Sequence, residues 1–503
     1  MRKGLLVLLT VVMVVAFALP AMAEVSFFGY ARVIPTYYKD FDFNSNAADP
    51  PTLNEGGLTM GEHIRSELRL GWRAGGDKWK IMMIAESDMI WNKNNADRSM
   101  YTTPAVNPSG ANATQLGGVN SITNAGAEFG IERAEFSYAF LPALELFAGW
   151  PISAVDIGTG GLLYGDDHPI IGFRGKITET IKYQIAYLSI QNTPQIGVSE
   201  SSLARDWRAY FLKPDFTIAA SGVKATLSPI VLYSDYHGVG SATGGASVIG
   251  PTARTWYYGL EGIGQFGMFK PSFEVIFADG EFQTTPKVNI SSWAAFAALE
   301  VAVNKAFNPY VAYRYTQGDD NRGDTDAKGF VGITDIGRFT PLMGMDGNIL
   351  GENFGGPWNS PLYSYAPDRA GNTAGGVAGP ANLYGGISGV SSGNNPGEGI
   401  LAIGAKGSLD NFVKDLSYKT QLFWINYDKT GNLRKGAGKP AGSVDKYVGT
   451  TFDLQGIYAF SPNFSMNGIF SWFVPGDGIK DQLSASASST TAQLYTLNLL
   501  WTY

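Results

Sequence analysis

From Glu24 onward, apolar and polar residues take turns in segments of about 10–16 residues, separated by stretches that alternate between short and long. The segments are 26–40, 60–74, 78–91, 128–141, 144–154, 169–178, 181–192, 205–218, 222–236, 254–266, 269–282, 289–304, 309–317, 398–409, 415–428, 446–460, 464–475 and 489–503. A period of two places successive side chains on opposite faces, so each segment predicts a strand with an apolar medium on one side only. Every second connection is tight, as at Gly75-Gly76-Asp77, Leu141-Pro142-Ala143, Thr178-Glu179-Thr180 and Ser461-Pro462-Asn463. The connections between them are long, up to the stretch 318–396. This regular sorting predicts an all-β fold, a transmembrane antiparallel up-and-down β-barrel of about 18 strands. A count of about 16 is the competitor, because 205–218, 222–236 and 398–409 are weakly patterned.

The alternation also assigns faces. In 60–74, Ile64, Ser66, Leu68, Leu70 and Trp72 share one side, and Arg65, Glu67, Arg69 and Arg73 the other. Arginine facing acyl chains at mid-membrane costs roughly 2–4 kcal/mol, so the charged side must face the bore. The same parity turns Arg32, Arg133, Glu135, Arg174, Lys176 and Arg314 inward, beside outward Phe136, Tyr138, Phe173, Val311 and Tyr313. It also turns Glu261, Glu274 and Glu300 inward, on the later strands. The expected lining is wet and polar, with a basic sector opposed to an acidic one. A transverse field of that kind, with arginine in excess, favours anions. The bland alternative is that these charges pair with one another and fill the barrel.

The final segment reads QLYTLNLLWTY. Tyr495, Leu497, Leu499, Trp501 and Tyr503 fall on one face, with Thr496, Asn498 and Thr502 on the other. It resembles the closing strand of Gram-negative outer-membrane β-barrel porins. That resemblance implies an outer-membrane location, short periplasmic turns, long external loops and contact with the insertion machinery through Tyr503. It also implies outer-membrane lipid around the barrel, and a homotrimer is the assembly common among porins. A second stretch, NPYVAYRYTQGDDNRGDTDAKGF at 308–330, resembles the strand-plus-acidic-loop segment of the alginate-export family. That local likeness implies an arginine-lined channel for an anionic polysaccharide. Glu261, Glu274 and Glu300 depart from a uniformly basic conduit.

Composition fits a membrane barrel. Of 503 residues, 63 are glycine, 13% are aromatic and only 16% are charged, against about 25% charged in an average soluble domain. Residues 1–23 read as a secretory signal, with Arg2 and Lys3 ahead of an apolar core and Pro20-Ala21-Met22-Ala23 as the cleavage site. Cleavage after Ala23 would leave 24–503 as one barrel domain and move the formal charge from −7 to −9, because two cations leave with the signal. Neither value suits a nucleic-acid partner. No apolar run after Glu24 reaches the length of a membrane-spanning helix. The absence of cysteine removes disulfides, thiolate metal sites, covalent haem and a lipid-modified N-terminal cysteine.

The chemistry on offer is that of a channel. The stretch 318–396 is too long to be a mere connection, and in porins such a loop often narrows the lumen. Its start holds Asp319, Asp320, Asp324 and Asp326, oxygen ligands of the calcium type, but without the EF-hand spacing; a solvated acidic turn is the favoured reading. No cofactor is expected. His63, His168 and His237 are the only histidines, and a rim histidine with neighbouring carboxylates, such as His168 beside Asp166 and Asp167, is weak evidence for an enzyme. The expected function is passive diffusion of small hydrophilic solutes with a lean toward anions. Polysaccharide export and a barrel sheath around a partner protein are the alternatives.

Overall fold

The computed structural model describes residues 24–40, 43–45, 62–90, 130–151, 153–156, 159–166, 168–193, 205–239, 249–283, 286–321, 324–330, 332–333, 396–431, 433, 435–436 and 438–503. The expected signal at 1–23 and the bulk of the 318–396 stretch lie outside them. The strands are β1 (Glu24–Lys39), β2 (Glu62–Gly75), β3 (Trp79–Ile90), β4 (Gly130–Leu141), β5 (Leu144–Trp150), β6 (Ser153–Ala154) and β7 (Gly165–Asp166). Next come β8 (Ile170–Lys176), β9 (Ile181–Thr193), β10 (Arg205–Ala220), β11 (Val223–Val239), β12 (Ile249–Phe266), β13 (Phe269–Phe282) and β14 (Val288–Val301). The last are β15 (Asn308–Thr316), β16 (Asp326–Ala327), β17 (Glu398–Ser408), β18 (Leu416–Tyr427), β19 (Tyr447–Ser461), β20 (Phe464–Pro475) and β21 (Ala492–Thr502), with one short helix, α1 (Asp477–Gln482), before β21.

The main sheet has nineteen strands. One of them, β16, is a two-residue strand lying parallel to Asn289 and Ile290 of β14. The other eighteen pair antiparallel, and β1 pairs with both β2 and β21, which closes the barrel. Two short strands, β6 and β7, form a hairpin of their own. The count is therefore eighteen, not sixteen, and the weakly patterned segments are staves like the rest. In β10 the weakness has a cause: proline donates no ladder hydrogen bond, and pairing with β11 lapses from Leu212 to Phe216, across Lys213-Pro214-Asp215.

The outer surface is apolar and banded. Tyr187, Tyr210, Tyr233 and Trp256 are register partners on four adjacent strands, with ring centroids 5.3, 6.4 and 4.8 Å apart. Toward the short turns, Phe460, Phe464 and Trp501 stack at 4.9 and 4.7 Å. From Trp256 down to Phe266, a rise of about 3.4 Å per residue at a tilt of about 40° projects to roughly 26 Å, the height of a lipid-facing band. At the seam, the Tyr503 hydroxyl donates to the Arg69 carbonyl at 3.0 Å. Its ring passes over Gly29, where a Cβ would come within 2.3 Å of that hydroxyl. Two of the tight turns depend on glycine: Gly222 and Gly267 have φ of +74° and +59°, a region costly to any residue with a Cβ.

The inner surface corrects one expectation. It is not polar throughout: Leu188, Ala209, Leu232, Tyr257, Ile276 and Ile290 point inward and are completely buried. They are covered by chain segments that enter the bore and form one apolar cluster with it.

Candidate functional site: a bore narrowed by its own loops

An eighteen-stranded cylinder with strands about 4.8 Å apart and tilted about 40° has a backbone radius of roughly 18 Å. That is wide, and the chain uses the space. The connection from β5 to β8 folds inward as the β6–β7 hairpin. The Asp156 carboxylate accepts the backbone N–H of Leu163 and Tyr164 at 2.6 and 3.0 Å, which fixes the turn. Val155, Leu162, Leu163 and Tyr164 are buried at its core. Its tip crosses to the far wall, where the Thr159 hydroxyl lies 3.0 Å from Glu261 and 2.8 Å from Glu274. The Gly160 N–H donates to Glu274 at 2.8 Å. Lys213 bridges Glu261 and the Val155 carbonyl. Gly160 is needed for this approach, because a Cβ there would fall 2.4 Å from the Cβ of Phe296.

A second segment follows β15. Phe330 meets Tyr257 edge-on at 6.3 Å, and the Ile333 N–H donates to the Leu163 carbonyl at 2.7 Å. A third group covers the inner ends of β18–β20: Phe43 packs edge-on against Phe473 at 5.1 Å, and Gln482 of α1 donates to the Tyr427 hydroxyl at 2.9 Å. Among the described residues the connection that crosses the bore is 155–168, which sequence reasoning did not single out, and Phe330 and Ile333 of the 318–396 stretch pack beside it. Residues 334–395, the larger part of the expected constriction, lie outside the described residues.

The predicted lining residues sort differently from the expected sectors. Arg32 holds Glu67 through its Nε at 2.6 Å. Arg69 contacts Glu67 at 2.8 Å and Glu132 at 3.3 Å, and also reaches Glu86. Tyr30 lies between these arginines, its ring centroid 5.6 and 5.5 Å from their guanidinium carbons. Arg133 pairs with Glu135 (Nε to Oε1 3.1 Å), Arg174 with Glu145 (2.8 Å), Arg314 with Glu398 (3.0 Å) and Lys176 with Glu179. Glu300 holds Lys270 and Lys406 at 2.9 and 2.8 Å. The side chain of Arg65 lies outside the described ones. Arg32, Arg69, Arg133, Arg174 and Arg314 each carry a carboxylate, with Arg73 the exception among the predicted arginines whose side chains are described, so separate basic and acidic sectors are not what the wall presents. Strand parity could not find Glu132: the β3–β4 register shifts between Ile84 and Ala85, and the extra residue brings both Glu132 and Arg133 inward.

The acidic start of the long loop is taken up by its own backbone. Asp319 accepts the N–H of Asn321 and of Lys328 at 2.8 Å each, and Asp324 accepts that of Asp326 at 2.9 Å. Asp320 lies against Gly431. Among the described residues no group of three acidic, histidine or cysteine side chains is arranged to hold a metal. His168 sits 3.2 Å from the Tyr164 hydroxyl, and His237 faces outward, 3.3 Å from Asp235.

Beside the inserted segments a cavity of about 750 Å³ remains along β2–β9, lined by Arg73, Lys80, Met82, Ser137, Phe147 and Arg174 among others. Arg73 donates to Ser26 at 2.8 Å, and Arg174 lies 5.0 Å over the Phe147 ring. Fold and bore together define a class: a closed, membrane-spanning β-barrel whose lumen is narrowed by its own loops.

At the level of sequence, no protein-family model matches the chain and no curated protein matches it. Solved structures do. Acinetobacter baumannii OccAB2 is similar over 95% of this chain and 98% of its own, with a TM-score of 0.50 and 11% identity. Pseudomonas aeruginosa OccK11 (OpdR) covers 95% of each chain at a TM-score of 0.46 and 8% identity. Pseudomonas aeruginosa OpdK, solved with vanillate, covers 95% and 98% at 0.47 and 11%. At such identities the likeness to OccAB2 speaks for the barrel fold alone. None of these comparisons supports the alginate-export resemblance of 308–330.

Proposed function

We propose that the chain is an outer-membrane porin of a Gram-negative bacterium, a passive diffusion channel for small hydrophilic solutes. The observation that carries this reading is the cavity of about 750 Å³ left beside the inserted loops, where Arg73, Lys80, Glu135, Ser137 and Arg174 share the lining with apolar side chains such as Met82 and Phe147. Charged and hydroxyl groups on the bore side are what a water-filled passage through a barrel requires, while lipid meets the alternate residues. The lean toward anions rests on Arg73 and Lys80, which line the cavity and have no carboxylate in salt-bridge range among the described residues. We take Arg32, Arg65, Glu67, Arg69, Arg133, Glu135, Arg174, Lys176, Glu261, Glu274, Glu300 and Arg314 as bore-facing, most of them as a scaffold of pairs that holds the lumen's shape. A bore filled by its own segments has little width for a partner protein or a polysaccharide, so the sheath and exporter alternatives are not favoured.

Planar-bilayer recording in a KCl gradient tests the reading. The expected result is discrete unitary steps with a reversal potential on the anion side. Folded protein that never conducts would refute the channel; cation preference would refute the anion lean.

A further inference from the structure

The bore's unbalanced charge lies along its axis. Among the described side chains in the middle and outer rows of the β1–β13 wall, carboxylates outnumber cations: Arg32 and Arg69 serve Glu67, Glu86 and Glu132, and Lys213 is the cation beside Asp156, Glu261 and Glu274. In the rows nearest the short turns the balance reverses. Lys176 and Lys182 are direct register partners on β8 and β9, and Lys406 and Lys419 on β17 and β18. Like charges placed opposite each other on adjacent strands are destabilising, and a fold does not repeat that arrangement without an offset. Part of it is internal: Glu179 takes Lys176, Glu300 takes Lys406 together with Lys270, and Asp215 lies across from Lys182. Lys80, Lys182 and Lys224 are exposed toward the bore, and no carboxylate lies within 4 Å of them among the described residues.

We infer that this mouth of the bore, periplasmic if the short turns are periplasmic, is a collar that collects multivalent anions through the summed field of Lys80, Lys182 and Lys224. The inference rests on the channel reading for its consequence, which is directional. These lysines stand on β3, β9 and β11, spread round the mouth, so an anion carrying several charges is drawn by their combined potential and obstructs the passage from that side. From the other side it must first pass rows rich in carboxylate. The same asymmetry makes the open channel rectify.

The probe is inorganic tripolyphosphate. The chain holds no cysteine, so a Ser221→Cys variant labelled at its short turn reports the orientation of each inserted channel. The expected result is block at concentrations at least tenfold lower from the short-turn side. The variant K182Q/K224Q should lose that sidedness while keeping its folded, heat-modifiable gel mobility. Equal block from both sides, or sidedness unchanged in the variant, overturns the inference. Calorimetry on the detergent-solubilised barrel separates the two readings: tripolyphosphate binding that is lost in K182Q/K224Q upholds the site even if no conductance is seen. Conductance without such binding upholds the channel and removes the site.

Discussion

Replacing Arg69 with methionine should cost the barrel far more than replacing Arg174. The Arg69 side chain is 20% exposed and contacts carboxylates of Glu67, Glu86 and Glu132 that are 0%, 15% and 22% exposed. Methionine would leave three carboxylates around Tyr30, with Arg32 as the remaining cation on Glu67. Removing one partner of a buried ion pair costs about 3–5 kcal/mol. The partial wetting of Glu86 and Glu132 places the expected loss near the lower end, at about 3 kcal/mol. Arg174 and Glu145 are 46% and 24% exposed, and such a pair contributes about 1 kcal/mol or less. Urea unfolding of both variants in lipid vesicles, followed by tryptophan fluorescence, should separate them by about 2 kcal/mol. Losses equal within error would show that the arginines are not the internal scaffold described above.

Other outcomes follow from single contacts. Gly160→Val should push the 153–166 hairpin off Phe296 and Glu274, giving a larger and noisier unitary conductance than the parent; an unchanged conductance would mean that the hairpin does not limit the passage. Gly222→Ala and Gly267→Ala meet no atoms within 4 Å, so each should cost only the left-handed backbone penalty of about 1–2 kcal/mol, measurable in the same unfolding assay, with asparagine costing less. Tyr503→Ala removes the hydrogen bond to the Arg69 carbonyl and the ring over Gly29, and should lower the yield of heat-modifiable barrel in timed folding into vesicles.

Most of the fold was legible because hydrocarbon and water impose period two on every stave. Trp72 and Arg73 had to face opposite ways wherever the strand lay. Even β10, β11 and β17 obeyed the alternating loop lengths when their own patterns were blurred. The site was less legible. Parity put Arg69 and Arg174 in the bore but could not say which carboxylate each would meet, because that depends on register between strands. Glu132 comes inward only through a bulge, and a bulge shifts the count by one. The 155–168 hairpin was passed over because its apolar residues, Leu162 and Leu163, look like an ordinary connection until Glu261 and Glu274, the acids that receive its tip at Thr159 and Gly160, are brought across the bore.

The central claim is that lipid lies outside the cylinder and solvent inside it. Single-cysteine substitutions in the cysteine-free chain test this most directly, using a membrane-impermeant thiol reagent on protein folded into vesicles. Arg73→Cys and Gln184→Cys, which line the cavity, should react, while Trp72→Cys and Leu212→Cys should stay protected under lipid. Reaction at Trp72→Cys and Leu212→Cys equal to that at Arg73→Cys and Gln184→Cys would contradict the account.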